Sequence, residues 1–155
     1  MDMIKVGPVG ECDGTLWDEK GRYQVAGILV SYSQDSIDSL QFLFRENGNL
    51  LLSKKHGVDY CENFCSIVFD YPSEFLTSLS GSYGKLDDCF STVMQTIKFV
   101  TNKSSYGPFG TNTRSNTKEF NFHLGNHNNL FGGLHGTYNC PGVEGIGVYL
   151  KNEQD

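Results

Sequence analysis

The sequence GGLHGTYNCPGVEGIGVYL at residues 132–150 places a glycine-rich segment before a strand-like run, with one carboxylate, Glu144, between them. Glycines let backbone N–H groups approach a ligand closely, and a carboxylate beside them can accept paired hydrogen bonds from vicinal hydroxyls. The pattern therefore predicts a glycine-rich loop that binds a hydroxyl-rich ligand such as a sugar. The alternative is a tight β-hairpin with a charge at its edge, which is a common structure for glycine-rich segments.

The composition of the 155-residue chain predicts one all-β domain over residues 1–155, with its core at about 4–150. The chain has 18 glycines, 13% aromatic and 19% charged residues, which is typical of short strands joined by tight turns. Its formal net charge is −6. Nucleic acids and anionic membrane surfaces attract clustered Lys and Arg, so we expect no nucleic-acid partner and no membrane insertion.

Apolar runs separated by turn residues predict strands along the whole chain, and no segment keeps a helical period. The clearest hairpin signal is Asn47-Gly48, which lies between two apolar runs. About ten to twelve short strands at this spacing predict a closed or prism-like antiparallel architecture. The predicted strands include residues 3–6, 23–32, 40–44, 50–52, 66–69, 75–80, 92–100, 120–124 and 145–150.

The cysteines predict free thiols and a cytoplasmic protein. They are odd in number, contain no C-x-x-C pair and follow no N-terminal stretch that resembles a signal peptide. Cys61 and Cys65 have no histidine near enough in sequence to complete a zinc site, so we expect no metal and no cofactor. The five positions are Cys12, Cys61, Cys65, Cys89 and Cys140.

Three segments, in chain order, resemble the mannose-type jacalin-related lectins: residues 4–10 (IKVGPVG), 106–110 (YGPFG) and 145–150 (GIGVYL). The resemblance covers nearly the whole chain and implies a β-prism I fold of three four-stranded Greek-key antiparallel sheets. It also implies a carbohydrate-binding function for mannose- or glucose-type glycans, held between the first and last loops. Because weak single sites gain from avidity, we expect a homo-oligomer, either a dimer or a tetramer.

Residues 80–83, 106–111 and 131–138 are also similar to a plant subgroup of this family that restricts long-distance movement of a potyvirus. This similarity implies a role in plant defence. It leaves a second function open, in which the fold is a protein-interaction scaffold that restricts virus movement and binds no sugar.

Within the family resemblance, the sugar site falls on Gly14, Gly142, Val143 and Glu144. Gly14 matches a family glycine whose N–H donates to a sugar hydroxyl. Glu144 stands where the family has aspartate, and its extra methylene shifts the carboxylate. Pro141 stands at a backbone donor position but has no N–H to give. Both departures predict weakened sugar binding.

Other acidic residues modify this expectation. Glu11 and Asp13 place side chains in the first loop, where the family has glycines, and this narrows the expected pocket.

Asp35 and Asp38 stand at the position of a possible second sugar site, as in family members of the banana lectin type. The alternative, which we favour for this pair, is a solvent-exposed start of a strand.

The residue pattern does not support catalysis. Glycoside hydrolysis needs two carboxylates across a cleft, and nucleophilic catalysis needs a base beside Ser or Cys. The sequence shows neither arrangement, so we expect no enzyme and no catalytic residue. A lone histidine, His135, is more typical of a hydrogen-bonded structural residue than of a catalyst.

Overall fold

The computed structural model describes residues 3–11, 13–22, 24–59, 62–85, 91–112, 117–125 and 130–151. Over these ranges the chain forms thirteen β-strands and no helix, which confirms the all-β prediction. Accordingly, no helix in the described ranges is long and apolar enough to span a membrane.

The strands form three antiparallel sheets. Their bounds in chain order are β1 (Met3–Val9), β2 (Thr15–Asp18), β3 (Val25–Ser33), β4 (Ser36–Glu46), β5 (Asn49–Leu52), β6 (His56–Gly57), β7 (Asn63–Val68), β8 (Leu76–Lys85), β9 (Thr92–Thr101), β10 (Ser105–Gly110), β11 (Lys118–His123), β12 (Phe131–Asn139) and β13 (Gly142–Lys151). Sheet A has the order β1-β13-β12-β2, and sheet C has the order β10-β9-β8-β11. Sheet B has the order β5-β4-β3-β7, with β6 paired to β4.

The three sheets enclose a shared hydrophobic core. One inner strand from each sheet, namely β13, β4 and β9, contacts the other two. The side chains that these strands direct inward, such as Ile146, Phe42 and Phe99, are fully buried. The prism of three sheets is therefore confirmed, with the addition that β6 makes sheet B five-stranded.

The predicted hairpin at Asn47-Gly48 is confirmed as the turn between β4 and β5. Asn47 has φ 51° and Gly48 has φ 81°. Positive φ at both central residues is the requirement of the hairpin turn whose twist matches the flanking strands. Asn and Gly are the residues that adopt this conformation most readily, so local chemistry alone specified this turn.

The glycine-rich segment at residues 132–138 was wrongly expected to be a loop, because it belongs to strand β12. Gly136 pairs with Trp17 of β2 on one side and with Ile146 of β13 on the other. A Cβ on Gly136 would lie 2.7 Å from Trp17 Cζ2, so the missing side chain makes room for the indole ring. The glycine here permits close packing, and β12 and β13 form the alternative tight hairpin.

Two of the five cysteines lie in described residues, and both are free thiols. Cys65 on β7 is half-buried, and Cys140 is exposed in the turn between β12 and β13. Cys12, Cys61 and Cys89 lie outside the described residues.

His135 is a buried structural residue of β12, in the role expected from the sequence. It is 3% exposed, its Nε2 lies 3.0 Å from the carbonyl oxygen of Val6, and its ring packs on Tyr149. Burial lowers the pKa of the His135 imidazole below its usual value, and this effect exceeds the opposing effect of the bond to Val6. His135 is therefore neutral in the folded protein near neutral pH.

We expect His135→Gln to reduce the pH dependence of folding stability. The unfolded histidine takes up a proton below about pH 6.5, whereas the buried ring resists protonation. Wild-type stability is thus lost as pH falls below about 6.5, by up to about 1.4 kcal/mol per pH unit for this group. Urea unfolding at pH 7.5 and 5.5 measures the slope. His123→Gln on the exposed face of β11 is the matched control, and an unchanged slope in His135→Gln would contradict the expectation.

Candidate functional site

The predicted sugar-site residues Gly14 and Glu144 meet at one end of sheet A. Gly14 directly precedes β2, and Glu144 is near the start of β13. Both strands pair with β12, where Tyr138 stands opposite Thr15 of β2 and Val143 of β13. This register brings together two residues that are 130 positions apart in the sequence.

Three protein donors occupy the carboxylate of Glu144. The backbone N–H of Gly14 donates to Oε1 at 2.8 Å, and the Thr137 hydroxyl donates to the same oxygen at 3.0 Å. The Asn139 amide nitrogen donates to Oε2 at 2.8 Å. Glu144 is 1% exposed, so these bonds replace the water that a carboxylate otherwise requires. The donor and the acceptor expected to bind a sugar are therefore bonded to each other.

The remaining predicted residues are buried by backbone packing. Val143 is fully buried, and Gly142 has φ 145° and lies so close to the carbonyl of Ile37 that no side chain fits there. Gly14 is half-buried, and a Cβ on it would lie 3.0 Å from Glu144 Oε1. Of the four residues, Gly14 is the one that retains partial exposure.

Acidic side chains gather beside this pair. Carboxylate oxygens of Glu11, Asp13 and Glu144 all lie within 4.8 Å of one another. Asp13 is exposed and Glu11 is half-buried. The side chains of Glu11 and Asp13 thus add negative charge and bulk beside Glu144.

The possible second sugar site, Asp35 and Asp38, is buried: Asp35 lies in the turn between β3 and β4, and Asp38 lies near the start of β4. The hydroxyl of Ser36 donates to Asp38 at 2.9 Å, and Ser33 also donates to it. Thr111 donates to Asp35 Oδ1 at 2.9 Å. Burial raises the pKa of the Asp38 carboxyl, although both serine hydroxyls act to lower it.

The favoured alternative of a solvent-exposed strand start was therefore wrong for this pair. Asp38 is 2% exposed and Asp35 is 7% exposed. Their hydrogen bonds to the hydroxyls of Ser33, Ser36 and Thr111 compensate the loss of water. The second sugar site stays a prediction.

A cleft between sheets A and B was not predicted from the sequence. Its volume is about 670 Å³. One wall is formed by β2 and the residues that follow it, and the other by residues 52–56 of sheet B. Its inner wall holds Trp17, which stacks on His56 with ring centroids 4.5 Å apart. His56 Nε2 in turn lies 2.8 Å from Glu19 Oε1. No short-range spacing along the chain relates Trp17 to His56.

The chain matches the family model described as Jacalin-like lectin domain over residues 6–149. It is 42% identical over 155 residues to Protein RESTRICTED TEV MOVEMENT 1 of Arabidopsis thaliana, with 96% of this chain and 87% of that protein covered. It is also 42% identical over 157 residues to the Arabidopsis thaliana sequence named Inactive protein RESTRICTED TEV MOVEMENT 1, with the same coverage.

Solved structures agree with the family match. A mannose-specific jacalin-related lectin from Morus Nigra, in complex with mannose, superimposes with a TM-score of 0.84 at 28% identity and covers 98% of this chain and 96% of that one. Jacalin-like lectins are carbohydrate-binding proteins and not enzymes. The match over residues 6–149 and the three-sheet prism together show that this chain belongs to the family of Jacalin-like lectin domains.

Proposed function

We propose that this domain acts as a protein-interaction module and that its mannose- or glucose-type sugar site is closed in the free protein. The bond between Gly14 N and Glu144 Oε1, 2.8 Å long, supports this function most directly. A sugar would need the same N–H as donor and the same carboxylate as acceptor. A hydrogen bond to a charged group contributes roughly 1.5–3 kcal/mol, and a millimolar sugar site yields only about 4 kcal/mol in total. Opening the internal bonds therefore consumes most of the affinity of such a site.

We expect no saturable binding of methyl α-mannoside, methyl glucoside or a high-mannose oligosaccharide below about 10 mM, equivalent to roughly −2.7 kcal/mol. NMR titration of the purified chain measures this through the amide signals of Gly14 and Gly142. Galactose is the control sugar for nonspecific shifts. Saturation by the mannose compounds, but not by galactose, would establish an open sugar site and contradict the closed one.

A second candidate function is a mannose- or glucose-type lectin with an altered, weak site in plant defence. It is favoured by the adjacency of Gly14 and Glu144, the two residues that the family resemblance assigns to sugar binding. The Morus Nigra lectin in complex with mannose has the same fold. In this case the sugar displaces the hydrogen bond between Gly14 and Glu144, and the NMR titration would show saturation by the mannose compounds.

The similarity to Protein RESTRICTED TEV MOVEMENT 1 supports a role of this chain in restricting virus movement. The free thiols of Cys65 and Cys140 suit a reducing compartment, and we propose the cytoplasm of plant cells as its location. The inactive Arabidopsis relative is equally similar, so identity alone does not separate an active from an inactive protein. Systemic spread of a potyvirus in plants that express this chain tests the role, and unrestricted spread would contradict it. Localisation of a fluorescent fusion tests the compartment.

We further propose that the chain is a homo-oligomer associated through the outer face of sheet B. One row of cross-strand partners on this face runs from Val68 through Gly27 to Leu43. Val68 is 73% exposed and Phe64, on the same face of β7, is 55% exposed. Large apolar side chains exposed together on one face are typical of an association surface. Light scattering gives the molar mass in solution, and a monomer at high concentration would contradict association.

A further inference from the structure

The cleft between sheets A and B lies outside the predicted sugar site, and its walls concentrate positive charge. It is lined by Lys20, Arg22, Lys54 and Lys55, which are four of the twelve Lys and Arg residues of a chain with net charge −6. A ligand that reaches this cleft meets a basic surface on an otherwise acidic protein. Such local charge of one sign attracts ligands of the opposite sign.

The carboxylates of the cleft have internal partners. Glu19 lies 2.8 Å from His56 and 3.5 Å from Arg22. Asp18 accepts a hydrogen bond from the Tyr149 hydroxyl at 2.7 Å. Burial and the bond to Asp18 raise the pKa of Tyr149 to about 12, so the hydroxyl stays protonated and keeps this contact.

Two cations of the cleft make no ion pair with any carboxylate in the described part of the chain. These are Lys20, which follows β2 and whose Nζ lies 5.7 Å from the centre of the Tyr149 ring, and Lys54, which belongs to the wall formed by residues 52–56. Both residues are exposed. Lys55 pairs with Asp59 at 3.3 Å, and the side chain of Asp59 is almost fully exposed. An exposed pair of this kind contributes little, so Lys55 is also available to an incoming anion.

The backbone of the cleft adds a second recognition element. Strand β2 ends sheet A and strand β5 ends sheet B, so each has one edge without a strand partner in the described residues. Unpaired edge N–H and C=O groups can accept an added strand. Leu16 on β2 is 75% exposed and Leu52 on β5 is 57% exposed, and both line the cleft.

We propose that this cleft binds an extended acidic segment of a partner protein, which adds to the free edge of β2 while its carboxylates contact Lys20 and Lys54. Leu16 and Asp18 share one face of β2, and the Lys20 ammonium lies over the ring of Tyr149, the hydrogen-bond partner of Asp18, on that same face. Apolar side chains of the segment, two positions from the acidic ones, therefore pack on Leu16 and Leu52, because side chains two positions apart in a strand point to the same face. The partner chemistry rests on the proposed function as a protein-interaction module. Free edges and exposed leucines favour a peptide over an anionic glycan, which offers neither backbone amides nor apolar side chains.

A synthetic peptide in which glutamate and valine take turns at every second position, with serine between them, is the probe, because glutamate and valine then share one face of the strand. We expect saturable binding by fluorescence anisotropy, with NMR amide shifts confined to β2 and residues 52–56. Lys20→Glu with Lys54→Glu should weaken binding about tenfold or more, since both cations then repel the peptide. Lys85→Glu with Lys118→Glu on sheet C changes the net charge equally and should weaken binding less than about twofold.

Three results would overturn the cleft as an acidic-peptide site. One is equal weakening by the two double variants, which would indicate nonspecific charge attraction. Another is undiminished binding of a peptide with proline at alternate positions, because proline cannot donate to a strand edge. The third is binding of a heparin fragment in the cleft without binding of the peptide. The mannose titration is followed at the Gly14 amide and therefore tests the sugar site independently of the peptide cleft. An open sugar site and a cleft that binds no peptide are separate outcomes.

Discussion

Gly136→Ala is expected to destabilise the fold by about 3 kcal/mol or more, the upper range for overpacking of a core. The added Cβ would lie 2.7 Å from Trp17 Cζ2 and 2.9 Å from Trp17 Cε2, and it would also collide with the carbonyl oxygen of Gly145. Neither neighbour can move easily. Trp17 is 5% exposed and stacks on His56, while Gly145 belongs to the backbone of the inner strand β13.

Urea denaturation measures this loss, and Gly48→Ala is the matched control. Gly48 has φ 81°, but a Cβ there meets no atom within 4 Å. Its replacement therefore carries only the cost of a left-handed backbone conformation, about 1–2 kcal/mol. If Gly136→Ala were no less stable than Gly48→Ala, the close packing of β12 against Trp17 would be disproved. The expected result also includes loss of the cleft, because Trp17 forms its inner wall.

The Asn47-Gly48 hairpin and strand β12 show which parts of the fold could be predicted from the sequence and which could not. The Asn47-Gly48 hairpin was predictable because its turn chemistry is local. Strand β12 was not predictable, because glycine usually weakens a strand. Gly136 leaves room for the indole ring of Trp17, which is more than a hundred positions away in the chain. The short strand β2 was missed for a related reason: its four residues carry no strand pattern, and pairing with β12 defines them.

The candidate site was also predictable only in part. The family resemblance placed Gly14 and Glu144 at one site, and the register of sheet A does bring them together. The longer side chain of Glu144 was expected to misplace a sugar-binding carboxylate. Its internal bonds to Gly14, Thr137 and Asn139 could not be predicted, because they depend on distances between strands and not on spacing along the chain. The basic cleft could not be predicted, because its walls come from the end strands of two different sheets.

We expect Glu144→Asp combined with Pro141→Ala to bind methyl α-mannoside at about 1–10 mM, the range of a weak single-sugar site. Aspartate is shorter by one carbon–carbon bond, about 1.5 Å, so its carboxylate no longer reaches Gly14 and the N–H becomes available to a sugar hydroxyl. Alanine at position 141 restores a backbone donor that proline lacks. The same change should lower the free energy of unfolding by about 1–3 kcal/mol, because buried donors lose a charged acceptor.

Calorimetry and NMR titration measure the gained affinity, and two single variants separate its causes. Glu144→Gln keeps the side-chain length, still reaches Gly14 and is expected to bind no mannoside, even though it removes the negative charge. Pro141→Ala alone restores an N–H but leaves the bond between Gly14 and Glu144 intact, so it is also expected to bind none. A double variant that unfolds cooperatively, and yet shows no saturable binding at about 10 mM, would contradict the view that Glu144 closes this site. Binding by Glu144→Gln would instead assign the closure to the charge gathered with Glu11 and Asp13 and not to the reach of the side chain.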